Sequence, residues 1–131
     1  MINILYAEDN ESDVMLFRLH CKKSRVINPI EIVGNGEEVF QFLEDNESPD
    51  LILLDLNMPR MGGLTCLREL KKDDRYRHIP VVMLTTSDKE EDIVKTYQEG
   101  GCSFLTKPVQ IKDFDQLLKA FGFYWSLVKL P

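Results

Sequence analysis

Five side chains capable of chemistry recur at one kind of place in this sequence, at or just past the end of a short apolar run. Glu8 and Asp9 follow "NILYA", Asp55 closes "DLILLD", Thr85 falls near the end of "PVVMLTT", and Lys107, with Pro108 behind it, closes "SFLTK". A carboxylate seldom stands in an apolar run without a partner. Three carboxylates brought together would repel one another and raise their own pKa values. A divalent cation removes that penalty, and Mg²⁺ accepts hard oxygen ligands, keeps several waters and uses one or two carboxylates together with phosphate oxygens. Lys107 would add a second positive charge and the Thr85 hydroxyl a hydrogen bond. Such a set suits phosphoryl transfer, in which positioning and charge neutralisation carry most of the catalysis. Asp55 is then the natural nucleophile, since a carboxylate can form an acyl phosphate.

These residues meet only if the apolar runs are neighbouring strands. The runs at 3–7, 30–33, 50–55, 80–86 and 103–107 read as five strands, the third apolar on both faces as at the centre of a parallel sheet. Helical spacing fills the gaps. Val14, Phe17 and Cys21 form one stripe from Glu11 to about Ser24, with Leu16 and Leu19 widening it, and Asn10 or Ser12 as cap. Asn35 with Glu38 signals the start of a helix carrying Val39, Phe42 and Leu43. Leu64, Leu67 and Leu70 follow Gly62 and Gly63. Ser87 with Glu90, or Asp88 with Glu91, opens a fourth helix that Gly100 and Gly101 end. Phe114, Leu117, Leu118, Phe121, Trp125 and Val128 share helical spacing in a fifth.

Five βα units in series imply an α/β protein with a parallel sheet covered on both faces. Right-handed crossovers leave few topologies, and the flavodoxin-like order 2-1-3-4-5 is the expected one. Its functional crevice lies at the carboxyl ends of the strands, between the first and third. The 131 residues suit one domain, 1–131, with the last ten or so forming an extended fifth helix or tail.

Composition narrows the function classes. A hydrophobic share of 44% and a charged share of 29% belong to a globular protein rather than a disordered one. The net charge of -6 disfavours duplex DNA and anionic membranes as direct partners. No apolar run approaches the roughly 20 residues that span a bilayer, and "MINILYAEDN" has no basic region or cleavage site of a signal peptide. Cys21, Cys66 and Cys102 form no C-x-x-C pair and read as reduced packing thiols of a cytoplasmic protein.

In order along the chain, "YAEDN", "LILLDLNMPRMGG", "PVVMLTTS" and "FLTKP" resemble the signature of the response-regulator receiver domain of two-component signalling. The resemblance covers nearly the whole chain. It implies a phosphoacceptor, not a classical enzyme, which assists its own phosphorylation and dephosphorylation. Asp55 would take a phosphoryl group from the phosphohistidine of a histidine kinase. Asp9, Asp55 and the Asn57 backbone carbonyl would hold Mg²⁺, with Glu8 acting mainly through water. Lys107 would pair with phosphoryl oxygens, and its bond to Pro108 would be cis. Thr85 and Phe104 would move together as the switch, and Thr86 would restrict access to the phosphoryl group.

The stretches "LTTSDKEEDIVKTYQEGGCSFLTKPV" and "FYWSLVKLP" are similar, more narrowly, to the small stand-alone regulators paired with bacterial and cyanobacterial phytochromes. That resemblance implies a bacteriophytochrome kinase as partner. It also implies a homodimer through the face of the fourth helix, fifth strand and fifth helix together with the tail. With no effector domain expected after the receiver, output would pass through protein contacts.

Taken singly, these residues have plainer readings. Asp55 could be a strand-end turn residue, the acids from Glu8 to Asp13 a helix start favoured by the helix dipole, and Lys107 a solvated lysine. Phe104 could be simple core. His20 and His78 read as surface residues. Phe121, Phe123, Tyr124 and Trp125 are too many for one side of a helix and point to a partner surface. Three rivals remain. An aspartate-dependent phosphatase needs a second acid where Asn57 stands. A flavin carrier needs a phosphate loop that "EDNESD" would repel. A phosphorylation-independent adaptor would keep the receiver fold and be separated only by a phosphodonor experiment.

Overall fold

The structure is a computed structural model, and it describes residues 2–86, 89–101, 103–120, 127–128 and 131. Five strands, β1 (Ile4–Ala7), β2 (Ile30–Val33), β3 (Leu51–Asp55), β4 (Val81–Thr85) and β5 (Ser103–Thr106), alternate with five helices. These are α1 (Glu11–Lys23), α2 (Gly36–Asp45), α3 (Gly63–Lys72), α4 (Glu90–Gln98) and α5 (Ile111–Ala120). All strand pairs are parallel and the order is β2-β1-β3-β4-β5, as expected from the sequence.

The sheet divides the core by simple alternation. Ile4, Tyr6, Leu51, Leu53, Val82 and Leu84 point to one side, where Phe17 and Cys21 of α1 and Phe114 and Leu118 of α5 meet them. Leu5, Ala7, Ile52, Leu54, Val81 and Met83 point to the other, against α2 and α3. Every residue of β3 is buried, which explains its uninterrupted apolar run, and each fully buried leucine there contributes about 1.5–3 kcal/mol.

Local signals account for three of the helix ends. Asn10 caps α1, its side chain accepting from the Asp13 N–H at 3.1 Å. Asn35 caps α2 in the same way through Glu38 N–H, and Glu38 reaches back to the Asn35 side chain and the Gly34 N–H. Gly100 ends α4 at φ 95°, with Gly101 N–H bonded to the Thr96 carbonyl, a left-handed turn that suits glycine.

Four expectations change. Leu16 and Leu19 do not widen the buried stripe of α1; they stand exposed beside Met15, because none of the described elements packs over that side. Lys89 holds the N-cap position of α4 and its side chain does not cap the helix, so the helix starts later than a cap at Ser87 or Asp88 would require, and those two lie outside the described residues. His20 is half-buried rather than free on the surface, with Nδ1 3.0 Å from the Val109 carbonyl oxygen. Val128 does not prolong α5. Leu127 is buried in the core, and Val128 accepts from the Ile27 N–H and donates to Asn28 Oδ1, so the chain returns to the α1–β2 connection. Cys102 and the aromatics Phe121, Phe123, Tyr124 and Trp125 lie outside the described residues.

Candidate phosphoacceptor site

The alternation that sorts the core also assembles the site. Glu8 continues the Ile4–Tyr6 side of β1, Asp55 the Leu51–Leu53 side of β3, and Lys107 the Leu105 side of β5. All three therefore emerge over the same face of the sheet, at the carboxyl ends of the strands, next to the first turn of α1.

Lys107 is the hub. Its ammonium lies 3.0 Å from Asp55 Oδ1 and 3.0 Å from Asp13 Oδ2, and it also donates to Glu8 Oε1. Its backbone is tied down by an N–H bond of 2.8 Å to the Thr85 carbonyl, and the Lys107–Pro108 peptide is cis. The side chains of Lys107, Glu8 and Asp55 are 9%, 0% and 8% exposed. Burial lowers the pKa of the Lys107 ammonium, but its hydrogen bonds to Glu8, Asp55 and Asp13 outweigh this and raise the value above that of a free lysine. Burial pushes the Glu8 carboxyl up to about 7; the bond from Lys107 opposes this and Asp55 reinforces it.

Two partners in this network had no distinct sequence signal. Tyr6 donates its hydroxyl to Glu8 Oε1 at 3.1 Å. A tyrosine two residues before Glu8 lies on the same face of the strand, so the spacing allowed the contact without requiring it. Asp13 read only as one of several helix-start acids, and its bond to Lys107 depends on how α1 docks.

Carboxylate oxygens of Glu8, Asp9 and Asp55 all come within 4.8 Å of one another, with Asp9 exposed. An all-oxygen, mostly anionic donor set open to water on one side fits a hard divalent cation such as Mg²⁺. Asn57 is exposed and lines a different groove, of about 490 Å³, with Leu56, Gly62, Leu64, Thr65, Lys89 and Asp92.

The turn after Asp55 depends on close packing. A Cβ on Gly63 would lie 2.5 Å from the Asp55 carbonyl oxygen and 2.8 Å from Met83 Sδ. Thr85 is buried at the end of β4, one step beyond the paired Asp55 and Leu84. Phe104 pairs with Met83 in register and is half-buried against the α2–α3 core. Thr85 and Phe104 thus share the opposite face from Glu8, Asp55 and Lys107.

A doubly wound parallel sheet with an acidic triplet and a lysine at its carboxyl edge defines a signalling receiver, and the chain belongs to the response regulator receiver domain family, which it matches over residues 4–119. Its relatives are more particular. It is 34% identical to the response regulator Rcp1 of Synechocystis over 135 residues, covering 98% of this chain and 92% of Rcp1. The Mn²⁺-bound structure of Rcp1 superposes with a TM-score of 0.77, covering 100% of this chain and 99% of that one. The bacteriophytochrome response regulator AtBRR gives a TM-score of 0.86 at 34% identity, with 98% and 97% of the two chains covered. The phosphorylated cyanobacterial phytochrome response regulator RcpA gives 0.76 at 35% identity, with 95% and 93% covered. Among the described residues, no helix is long and apolar enough to cross a membrane.

Proposed function

We propose that this protein is a phosphoacceptor switch, a receiver whose Asp55 takes a phosphoryl group from the phosphohistidine of a histidine kinase. The observation that carries the reading is the contact of Lys107 with Asp55 beside the Glu8–Asp9–Asp55 carboxylates. In the transfer, an Asp55 oxygen forms the new O–P bond, the N–P bond of the donor breaks, and the freed imidazole keeps the bonding pair and takes a proton. Lys107 neutralises charge on the phosphoryl oxygens, and its backbone bond to Thr85 keeps the amine at the strand end. Glu8, Asp9, Asp55 and the Asn57 carbonyl are the proposed holders of Mg²⁺, with Glu8 acting mainly through water. When bound, the ion supplies charge neutralisation for the incoming phosphate.

The switch residues are Thr85 and Phe104, which share one face of neighbouring strands. Their movement would alter the surface of α4, β5 and α5, and that surface together with the chain after α5 forms the proposed homodimer contact. Several relatives are phytochrome response regulators, which supports a bacteriophytochrome as kinase and a light-sensing pathway in the cytoplasm. We assign residues 1–131 to one receiver domain, with no role as a classical enzyme and no direct nucleic-acid contact.

The test is intact-mass spectrometry after incubation with phosphoramidate and Mg²⁺. One phosphoryl group is expected on the parent protein and none on Asp55→Asn. An unmodified parent, or a modification that survives Asp55→Asn, overturns the assignment; the first result would leave an adaptor that keeps the receiver fold.

A further inference from the structure

We propose that Asp13 is a positioning residue, which holds one N–H of Lys107 in the unphosphorylated state and releases it when a phosphoryl group arrives. The inference rests on the phosphoacceptor reading above and adds a residue to it.

A lysine ammonium has three N–H donors. Here Glu8 Oε1, Asp13 Oδ2 and Asp55 Oδ1 surround it. A phosphoryl group on Asp55 brings further anionic oxygens within reach of the same amine. Lys107 can meet them only by giving up an acceptor it already holds.

The three acceptors differ in what release would cost. The Glu8 side chain is 0% exposed, and the Tyr6 hydroxyl that also bonds it carries no charge, so release from Glu8 would leave a buried carboxylate without its counter-charge. Asp55 is the modified residue itself. The Asp13 side chain is 33% exposed. It also stands in the first turn of α1, three residues after the cap Asn10, where the positive end of the helix dipole supports a carboxylate turned toward water. Release from Asp13 is therefore the least costly rearrangement, and the Asp13 contact opposes phosphoryl capture until it is broken.

Replacing Asp13 removes the competitor without touching Asp55 or its neighbours Glu8 and Asp9. Asp13→Asn is expected to raise the initial rate of phosphoryl uptake from phosphoramidate, at fixed Mg²⁺, by about fivefold, the scale of one partly exposed ion pair. Asp13→Glu, which keeps the charge, should bring the rate back toward that of the parent. In a Lys107→Ala background the Asp13→Asn change should alter the residual rate by less than about twofold, because the two residues act as a unit. Acetic anhydride labelling with peptide mapping should find Lys107 more reactive in Asp13→Asn than in the parent. A helix-start acid with no role at Lys107 would move the melting temperature and leave the uptake rates and the labelling alone. An unchanged or slower rate in Asp13→Asn, or an equal gain without Lys107, overturns the inference while leaving Asp55 as acceptor. A parent that takes up no phosphoryl group removes the phosphoacceptor reading and this inference with it.

Discussion

Lys107 reaches Asp55 at 3.0 Å across an intervening strand, since β4 lies between the strands that carry them. The same amine serves Glu8 and Asp13, and Asp9 stands close by, so four carboxylates face one ammonium. The site is therefore held together against its own charge. Asp55→Asn removes one negative charge from the excess and should stabilise the metal-free protein by about 1 kcal/mol, in keeping with a like-charge contact at a partly solvated site. Chemical denaturation in EDTA would measure it. A variant less stable than the parent would mean that the Lys107 contact with Asp55 outweighs the repulsion.

Divalent ions should stabilise the parent for the same reason. At ten times its dissociation constant, Mg²⁺ is expected to add about 1.4 kcal/mol to the free energy of unfolding. The gain should fall away in Asp9→Asn, which removes a ligand from the triplet at its exposed edge. Thermal melts across a Mg²⁺ titration would show this, and equal shifts in the two proteins would place the ion elsewhere.

Gly63 leaves no room for a side chain against the Asp55 carbonyl oxygen, Met83 Sδ and the Leu56 Cα, all within 2.9 Å of the built Cβ. Two of those atoms are backbone and cannot rotate away. Gly63→Ala should cost about 1–3 kcal/mol by overpacking and slow phosphoryl uptake by displacing Asp55. Urea denaturation and the uptake assay would report the two effects separately.

Tyr6 offers a test of how Glu8 is held. Burial, then the neighbouring Glu8 charge, raise the phenol above its ordinary value, so it remains a donor to Glu8 throughout the neutral range. Tyr6→Phe keeps the packing against Phe17 and removes that one bond. A loss of roughly 1–2 kcal/mol is expected by urea denaturation. A neutral substitution would show that Lys107 and the Asn10 N–H, which lies 3.4 Å from Glu8 Oε2, suffice for Glu8.

The two described cysteines should resist alkylation. Burial pushes the Cys66 thiol up to about 12 and the Cys21 thiol up to about 11, so neither provides much thiolate at pH 8. Iodoacetamide followed by peptide mapping should label Cys66 and Cys21 only after denaturant is added. Rapid labelling of Cys66 in the native protein would contradict its burial on the inner face of α3, against the sheet and α2.

Much of this was legible along the chain, because each signal was local or periodic. Central parallel strands are buried on both faces, so Leu51 to Leu54 declared a strand, and the reactive residues at the run ends declared an edge. Asn35 with Glu38 and the pair Gly100–Gly101 marked helix ends through bonds made within a few residues. Other features depended on which surfaces came together. Helical spacing placed Leu16 and Leu19 beside the buried stripe of α1, but periodicity cannot say that none of the described elements covers them. The spacing of Phe114 through Val128 was helical, yet Val128 found its partners at Ile27 and Asn28 once the chain returned there. Asp13 became a partner of Lys107 only because α1 docks its first turn over the end of β5, a contact between residues 94 positions apart. Composition and pattern thus determined the strands, three helix ends and the gathering of acids and a lysine at the strand ends, since these follow from short-range sterics and burial. The sharing of Lys107 among three acids was decided by tertiary packing, because distance between remote side chains is set by topology and docking rather than by spacing along the chain.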